Sequence, residues 1–145
     1  MRTHKYFTLE ELTRSSKADK LHIDNTPTRE IECHLCELMD YLDVIREAWG
    51  SPIVITSGYR CEALNKAVGG SATSVHTCGW AADMHPSNGK NKEFLEFVKS
   101  FLKENNMAFD QLISEYPDSK GVPSWIHLGL RSRNGAQRKQ VKTIK

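Results

Sequence analysis

His76, Asp83 and His127 are the residues of this sequence best suited to meet around one metal ion. A catalytic zinc site takes three protein ligands from the His, Asp, Glu and Cys set and keeps a fourth position for water. Seven positions separate His76 from Asp83, and Gly79, Ala81 and Ala82 lie between them, so the chain has room to turn there and let its backbone approach. His127 stands between Trp125, Ile126 and Leu128 in a run that reads as a central strand, where a polar group without a partner is costly to bury. His85 follows Asp83 by two and faces the same way on a strand, which suits a supporting or surface group more than a ligand. His4, His22 and His34 have no comparable setting. Cys33 and Cys36 form a C-x-x-C, but they fall inside a strongly periodic helix and read as buried or half-buried thiols; with Cys61 and Cys78 they permit disulfides without requiring any.

The elements that must position these residues are marked by periodicity and by caps. Thr8 with Glu11 makes a capping-box start for a short helix through Leu12, and Thr26 with Pro27 reads as the N-cap and first residue of a longer one. In that longer helix Ile31, Leu35, Leu38, Met39, Leu42 and Ile45 follow helical spacing, and Gly50 stands where a left-handed C-cap would end it. "PIVIT" from Pro52 to Thr56 is a buried strand broken by "SGYR", and a short helix is expected near Glu62 to Val68. A second strand is expected around Trp80 to Met84, then a helix from about Asn91 to Asn105 with Phe94, Val98, Phe101 and Leu102 on one face. "FDQLISEY" and "SWIHLGL" are two further strands, joined through the turn-forming "PDSKGVP". The order predicts an α+β domain with a small, mainly antiparallel sheet flanked by helices.

Composition bounds the function without naming it. The chain has 145 residues, 39% hydrophobic and 26% charged, the usage of an ordinary globular domain. Residues 131 to 145 carry six Lys and Arg and no acid, so the formal charge of +2 divides into an acidic body of −4 and a basic tail. The domain is expected to span residues 1–130, with 131–145 a solvated, partly disordered tail on which no function is placed. Neither nucleic acid nor membrane is expected as a partner, and a monomer is expected. No stretch approaches the eighteen or so apolar residues of a membrane span, and charge interrupts "MRTHKYFTLEEL" too early for a signal peptide. Synthesis is therefore expected to end in the cytoplasm.

"SVHTCGWAADMH" with a later "WIH", together with "TSGYR", "NTPT" and "LNKAVGG", resembles the D-alanyl-D-alanine carboxypeptidase family of zinc peptidases. That family includes phage endolysin peptidases and shares a fold with the hedgehog signalling domain. The resemblance is closest to its short, single-domain branch. It implies His76, Asp83 and His127 as zinc ligands, Arg60 facing the substrate to grip a carboxylate or a developing oxyanion, and Ser74 either bonding substrate backbone or capping its loop. Several branches place an acid three residues before the last histidine, where this chain has Ser124; the general base implied by the short branch is Glu115, with Asp110 in reserve. Hairpin parity tests that assignment: Glu115 shares the face of His127 if it pairs with Trp125, and points away if it pairs with Ser124. Trp80 and Trp125 are either cleft or core residues. The expected activity is zinc-dependent hydrolysis next to D-alanine in peptidoglycan stem peptides, by a carboxypeptidase or by the endopeptidase of a phage lysis system. The alternative is a non-catalytic zinc-containing binding module, which would be marked by a fourth protein ligand such as His85 or Cys78.

Overall fold

A computed structural model describes residues 3–145; Met1 and Arg2, which open the charged N-terminal stretch, lie outside the described residues. Helix α1 (Leu9–Thr13) starts at Thr8, whose hydroxyl accepts from the Glu11 backbone N–H, and α2 (Ser16–Lys20) starts in the same way at Ser15. The long helix α3 (Arg29–Trp49) is capped by Thr28 rather than by Thr26. The Asp24 carboxylate takes both the backbone N–H and the hydroxyl of Thr26, and the helix starts two residues later than expected. Gly50 ends α3 in the left-handed region expected of it, at φ +79°, with its N–H on the Arg46 carbonyl.

Strand β1 (Ile53–Ser57), helix α4 (Glu62–Ala67), a 3₁₀ turn (Val75–Cys78), strand β2 (Ala81–Pro86) and helix α5 (Asn91–Glu104) follow in order. Strands β3 (Gln111–Glu115) and β4 (Trp125–Gly129) form the expected hairpin, whose loop is tied by the Asp118 carboxylate accepting from the backbone of Lys120 and Val122. The five-stranded sheet has the order β1-β2-β4-β3-β5, antiparallel except where β5 (Gln140–Ile144) runs parallel to β3.

Strand β5 corrects the expectation of a disordered tail. Its backbone covers the outer edge of β3, with Gln140 N–H on the Asp110 carbonyl and Tyr116 N–H on the Ile144 carbonyl, so it satisfies groups that would otherwise form an open edge. Two basic residues of the tail ahead of β5 are also held by acids of the body: Arg131 pairs with Glu37 at 3.1 Å, and Arg138 with the buried Asp110 at 2.8 Å.

One face of the sheet makes the core. Ala82, Met84, Leu112, Ile126 and Leu128 join Leu38, Leu42 and Ile45 of α3 and Phe94, Val98 and Leu102 of α5 in a single cluster. Each fully buried leucine or phenylalanine there contributes about 2 kcal/mol from area removed from water. Since side chains alternate along a strand, burying this set turns Asp83, Ile113, Glu115 and His127 to the other face. Cys36 belongs to the core, whereas Cys33 lies on the exposed side of α3. No helix among the described residues is long and apolar enough to cross a membrane.

Candidate active site

The 3₁₀ turn is what brings His76 to the sheet. Ser74 caps it, its hydroxyl accepting from the His76 backbone N–H at 3.2 Å, and Gly79 closes it at φ +76°. A β-carbon on Gly79 would stand 2.9 Å from Cγ2 of Ile31, so only glycine lets the turn lie this close to α3. His76 is left 3% exposed, with Nδ1 at 2.7 Å from the Gly58 carbonyl oxygen. A carbonyl only accepts, so Nδ1 carries the proton and Nε2 presents a lone pair.

Asp83 and His127 need no such turn, because they are directly opposed partners on β2 and β4. A bulge between Ile55 and Ser57 of β1 sets Ser57 opposite Asp83 on the far side. Asp83 Oδ1 lies 2.9 Å from His127 Nδ1 and 3.3 Å from His76 Nε2, and the three candidate ligand atoms all fall within 4.8 Å of one another. Ligands at zinc distances in a tetrahedron stand about 3.3 Å apart, so the spacing suits that ion.

The chemistry of the donors fits as well. The His76 Nε2 lone pair faces a carboxylate oxygen, two acceptors against each other, and the contact is favourable only with a cation between them. A proton is a poor candidate: burial holds the His76 imidazole below its ordinary pKa, against the pull of Asp83. Burial would push the Asp83 carboxyl up, but His76 and the hydrogen bond from His127 outweigh it and hold the carboxyl well below the usual carboxylate range. A neutral imidazole and an ionised carboxylate are the forms that ligate metal.

Glu115 pairs with Trp125, the register that puts it on the face of His127, and it lines the same cleft of about 1000 Å³. Burial first, then the Asp83 carboxylate, raise its pKa, with His127 opposing. Arg60 enters from the opposite wall. Its backbone N–H bonds the His76 carbonyl at 3.1 Å, its Nη2 reaches the Ser74 hydroxyl at 3.4 Å, and its buried Nε has no partner. Burial pulls the guanidinium's pKa down and Asp83 pushes it back, but an arginine stays charged throughout. Asn25 sets the turn that carries Arg60: its amide donates to the carbonyls of Thr13 and Tyr59, and its oxygen accepts from the Cys61 N–H. Ser74 thus caps its loop and also lines the cleft, so its two readings are compatible.

Other expectations sort cleanly. Asp110 lines the cleft, but its carboxylate is held by the Arg138 backbone and by two nitrogens of the guanidinium, which lowers its pKa and removes it as a base. His85 bonds the Pro86 carbonyl and does not join the three ligand candidates. Trp125 lines the cleft, whereas Trp80 stacks on His34 with ring centroids 4.0 Å apart, and His34 in turn bonds the Cys78 carbonyl. Two contributors had no mark in the sequence: the Gly58 carbonyl, and residues 132–138, which form a wall of the cleft.

A search of curated proteins found no match to the chain. The profile of the Peptidase M15 family matches residues 5–128, a stretch that holds His76, Asp83, His127, Glu115 and Arg60. The chain belongs to the peptidase M15 family of zinc-dependent peptidases, the family that includes D-Ala-D-Ala carboxypeptidases.

Proposed function

We propose that this protein hydrolyses a peptide bond next to D-alanine in peptidoglycan stem peptides, as a monomer, with zinc held by His76, Asp83 and His127. The activity is that of a carboxypeptidase or of the endopeptidase of a phage lysis enzyme. The observation that supports it is the pairing of Asp83 with His127 and of Glu115 with Trp125, by which Asp83, His127 and Glu115 share one face of the sheet and line one cleft. Bound zinc supplies Lewis acidity and brings a water's pKa toward about 7.

The chain's own residues do the rest. Glu115, whose raised pKa brings it nearer to neutrality, takes the proton of the attacking water at its carboxylate and returns it to the leaving amine. Arg60 holds either the substrate carboxylate or the carbonyl oxygen as charge builds on it. The Ser74 hydroxyl, at the end of the 3₁₀ turn, is placed for substrate backbone. A non-catalytic zinc module would use a fourth protein ligand, and among the described residues no fourth His, Cys, Asp or Glu joins the three.

The test is metal analysis with turnover of stem peptides ending in D-Ala-D-Ala. The parent is expected to hold one zinc per chain and to release D-alanine or cleave beside it. Glu115→Gln is expected to keep the metal and lose about 100- to 10,000-fold in kcat. A parent loaded with zinc that cuts none of these peptides, or a Glu115→Gln protein of full activity, would refute the proposal.

A further inference from the structure

The cleft is formally balanced, three arginines against three acids, while the body that builds most of it is acidic. Its charged lining comprises Arg60, Asp83, Asp110, Glu115, Arg133 and Arg138. Arg138 is neutralised by Asp110, and Asp83 is committed to the two imidazoles. Asp83 and Glu115 are then left to face Arg60 and Arg133, and a bound divalent ion would tip that balance to positive. With the metal held, the cleft would carry positive charge on an otherwise acidic body, which favours anionic ligands.

Arg133 is the unexplained part of that charge. It stands at the tip of a tight turn, Ser132 to Gly135, closed by the Gly135 N–H on the Ser132 carbonyl and by the Ala136 N–H on the Ser132 hydroxyl. The turn is fixed on both sides, by Arg131 on Glu37 and by Arg138 on Asp110. Arg133 itself makes no ion pair among the described residues. Its Nη2 donates to the Ala72 carbonyl at 3.1 Å and to the Thr77 hydroxyl at 2.8 Å, and its side chain is exposed in the cleft wall. The loop that it touches is the loop that Arg60 touches at Ser74. Two guanidiniums thus hold one loop, each with nitrogens to spare, and each is built to grip a carboxylate.

Resting on the peptidase reading above, with Arg60 on one substrate carboxylate, we propose that Arg133 is a specificity-determining residue that binds a second. The substrate class is then a peptide with two carboxylates, one at its C-terminus and one lateral. Residue 133 lies beyond the stretch matched to the family, so this recognition belongs to the C-terminal segment of this chain.

Four peptides test it: acetyl-Glu-D-Ala-D-Ala, its Gln counterpart, and both with a C-terminal carboxamide. Arg133→Gln is expected to raise KM about tenfold for peptides carrying the carboxylate that Arg133 reads, with kcat within about twofold, and to leave the matching amides unchanged. Loss of discrimination between Glu and Gln assigns the lateral carboxylate; loss between acid and carboxamide assigns the terminal one. Arg133→Lys should recover part of the discrimination. An equal rise in KM across all four peptides, or no rise, overturns the proposal, since a merely structural arginine cannot tell acid from amide. Calorimetric Kd values for the same peptides, with Glu115→Gln and Glu115→Gln/Arg133→Gln proteins, decide the matter independently of turnover. If the parent cuts nothing, the peptidase reading fails on its own, while a Kd preference for acids that disappears with Arg133 still sustains this one, and flat or absent binding ends it.

Discussion

The two faces of the central sheet are made from the same five strands, one residue out of phase, and they obey different rules. On the inner face Ala82, Met84, Leu112 and Leu128 are fully buried and apolar, and each helps stability in proportion to its area. On the outer face Asp83 and His127 keep about an eighth of their side-chain surface, and they are placed where a polar group is poorly satisfied by the protein alone. The inner face would be better for more hydrocarbon. The outer face carries a lone pair against a carboxylate, and an arginine nitrogen without a partner, as the condition for binding something else. The pleat separates the demands, so the same backbone hydrogen bonds that hold the core also hold the ligands.

The sharpest way to break this comparison is to truncate two neighbours. His127→Ala should lose zinc, and with it on the order of 1000-fold or more in activity, while it still unfolds cooperatively. Leu128→Ala should do the opposite, losing about 2–5 kcal/mol in denaturant unfolding and keeping its metal at temperatures where it remains folded. Metal content and unfolding midpoint of both variants check the point. If Leu128→Ala sheds its zinc while folded, or if His127→Ala retains it, the faces are not separable.

The inner face was largely legible in the sequence, because helical spacing in α3 and α5 and β-branched density in β1 follow from burial alone. The outer face was legible only in part. Hairpin parity left two registers for Glu115, opposite Trp125 or opposite Ser124, and no local signal separates them; packing Leu112 and Leu128 on the same side does. The Gly58 carbonyl is a backbone atom and has no residue type to betray it. Strand β5 was missed because "RKQVKTIK" reads by composition as a solvated run, and its reason for order is the unpaired edge of β3 some thirty residues away. Thr26 reads as the cap of α3, but Asp24 engages its N–H and hydroxyl, and the cap falls on Thr28.

A smaller change probes how closely the outer face is fitted. Gly129 lies beside His127, where an added β-carbon would stand 3.3 Å from His127 Nε2 and 3.6 Å from Cγ2 of Val75. Gly129→Ala should therefore tilt the imidazole without exposing any core. Zinc affinity is expected to fall roughly tenfold, as when a group that orients a ligand is lost, with little change in the unfolding midpoint. Competition with a chelator measures the first and a thermal melt the second. Unchanged affinity would show that His127 has slack, and the ligand face would then be no more tightly fitted than a surface.

The smallest expected effect concerns a single proton on Glu115. Burial and the Asp83 carboxylate raise its folded pKa above the ordinary 4.5. Its contribution to stability is thus fully present below that ordinary value and is lost as pH rises through the folded one, so at neutral pH the ionised carboxylate is a burden. The same ionisation makes the base, so kcat/KM should rise with pH over the window in which stability falls. Glu115→Gln should remove both slopes, leaving a protein slightly more stable than its parent at pH 7 and without an acidic limb in its residual activity. On the inner face Leu112 and Ser114, the neighbours of Glu115's strand, bear no group that titrates there, so their truncation should shift midpoints without altering the shape of either pH curve. A parent whose acidic limb survives Glu115→Gln would place the titrating base elsewhere on the outer face.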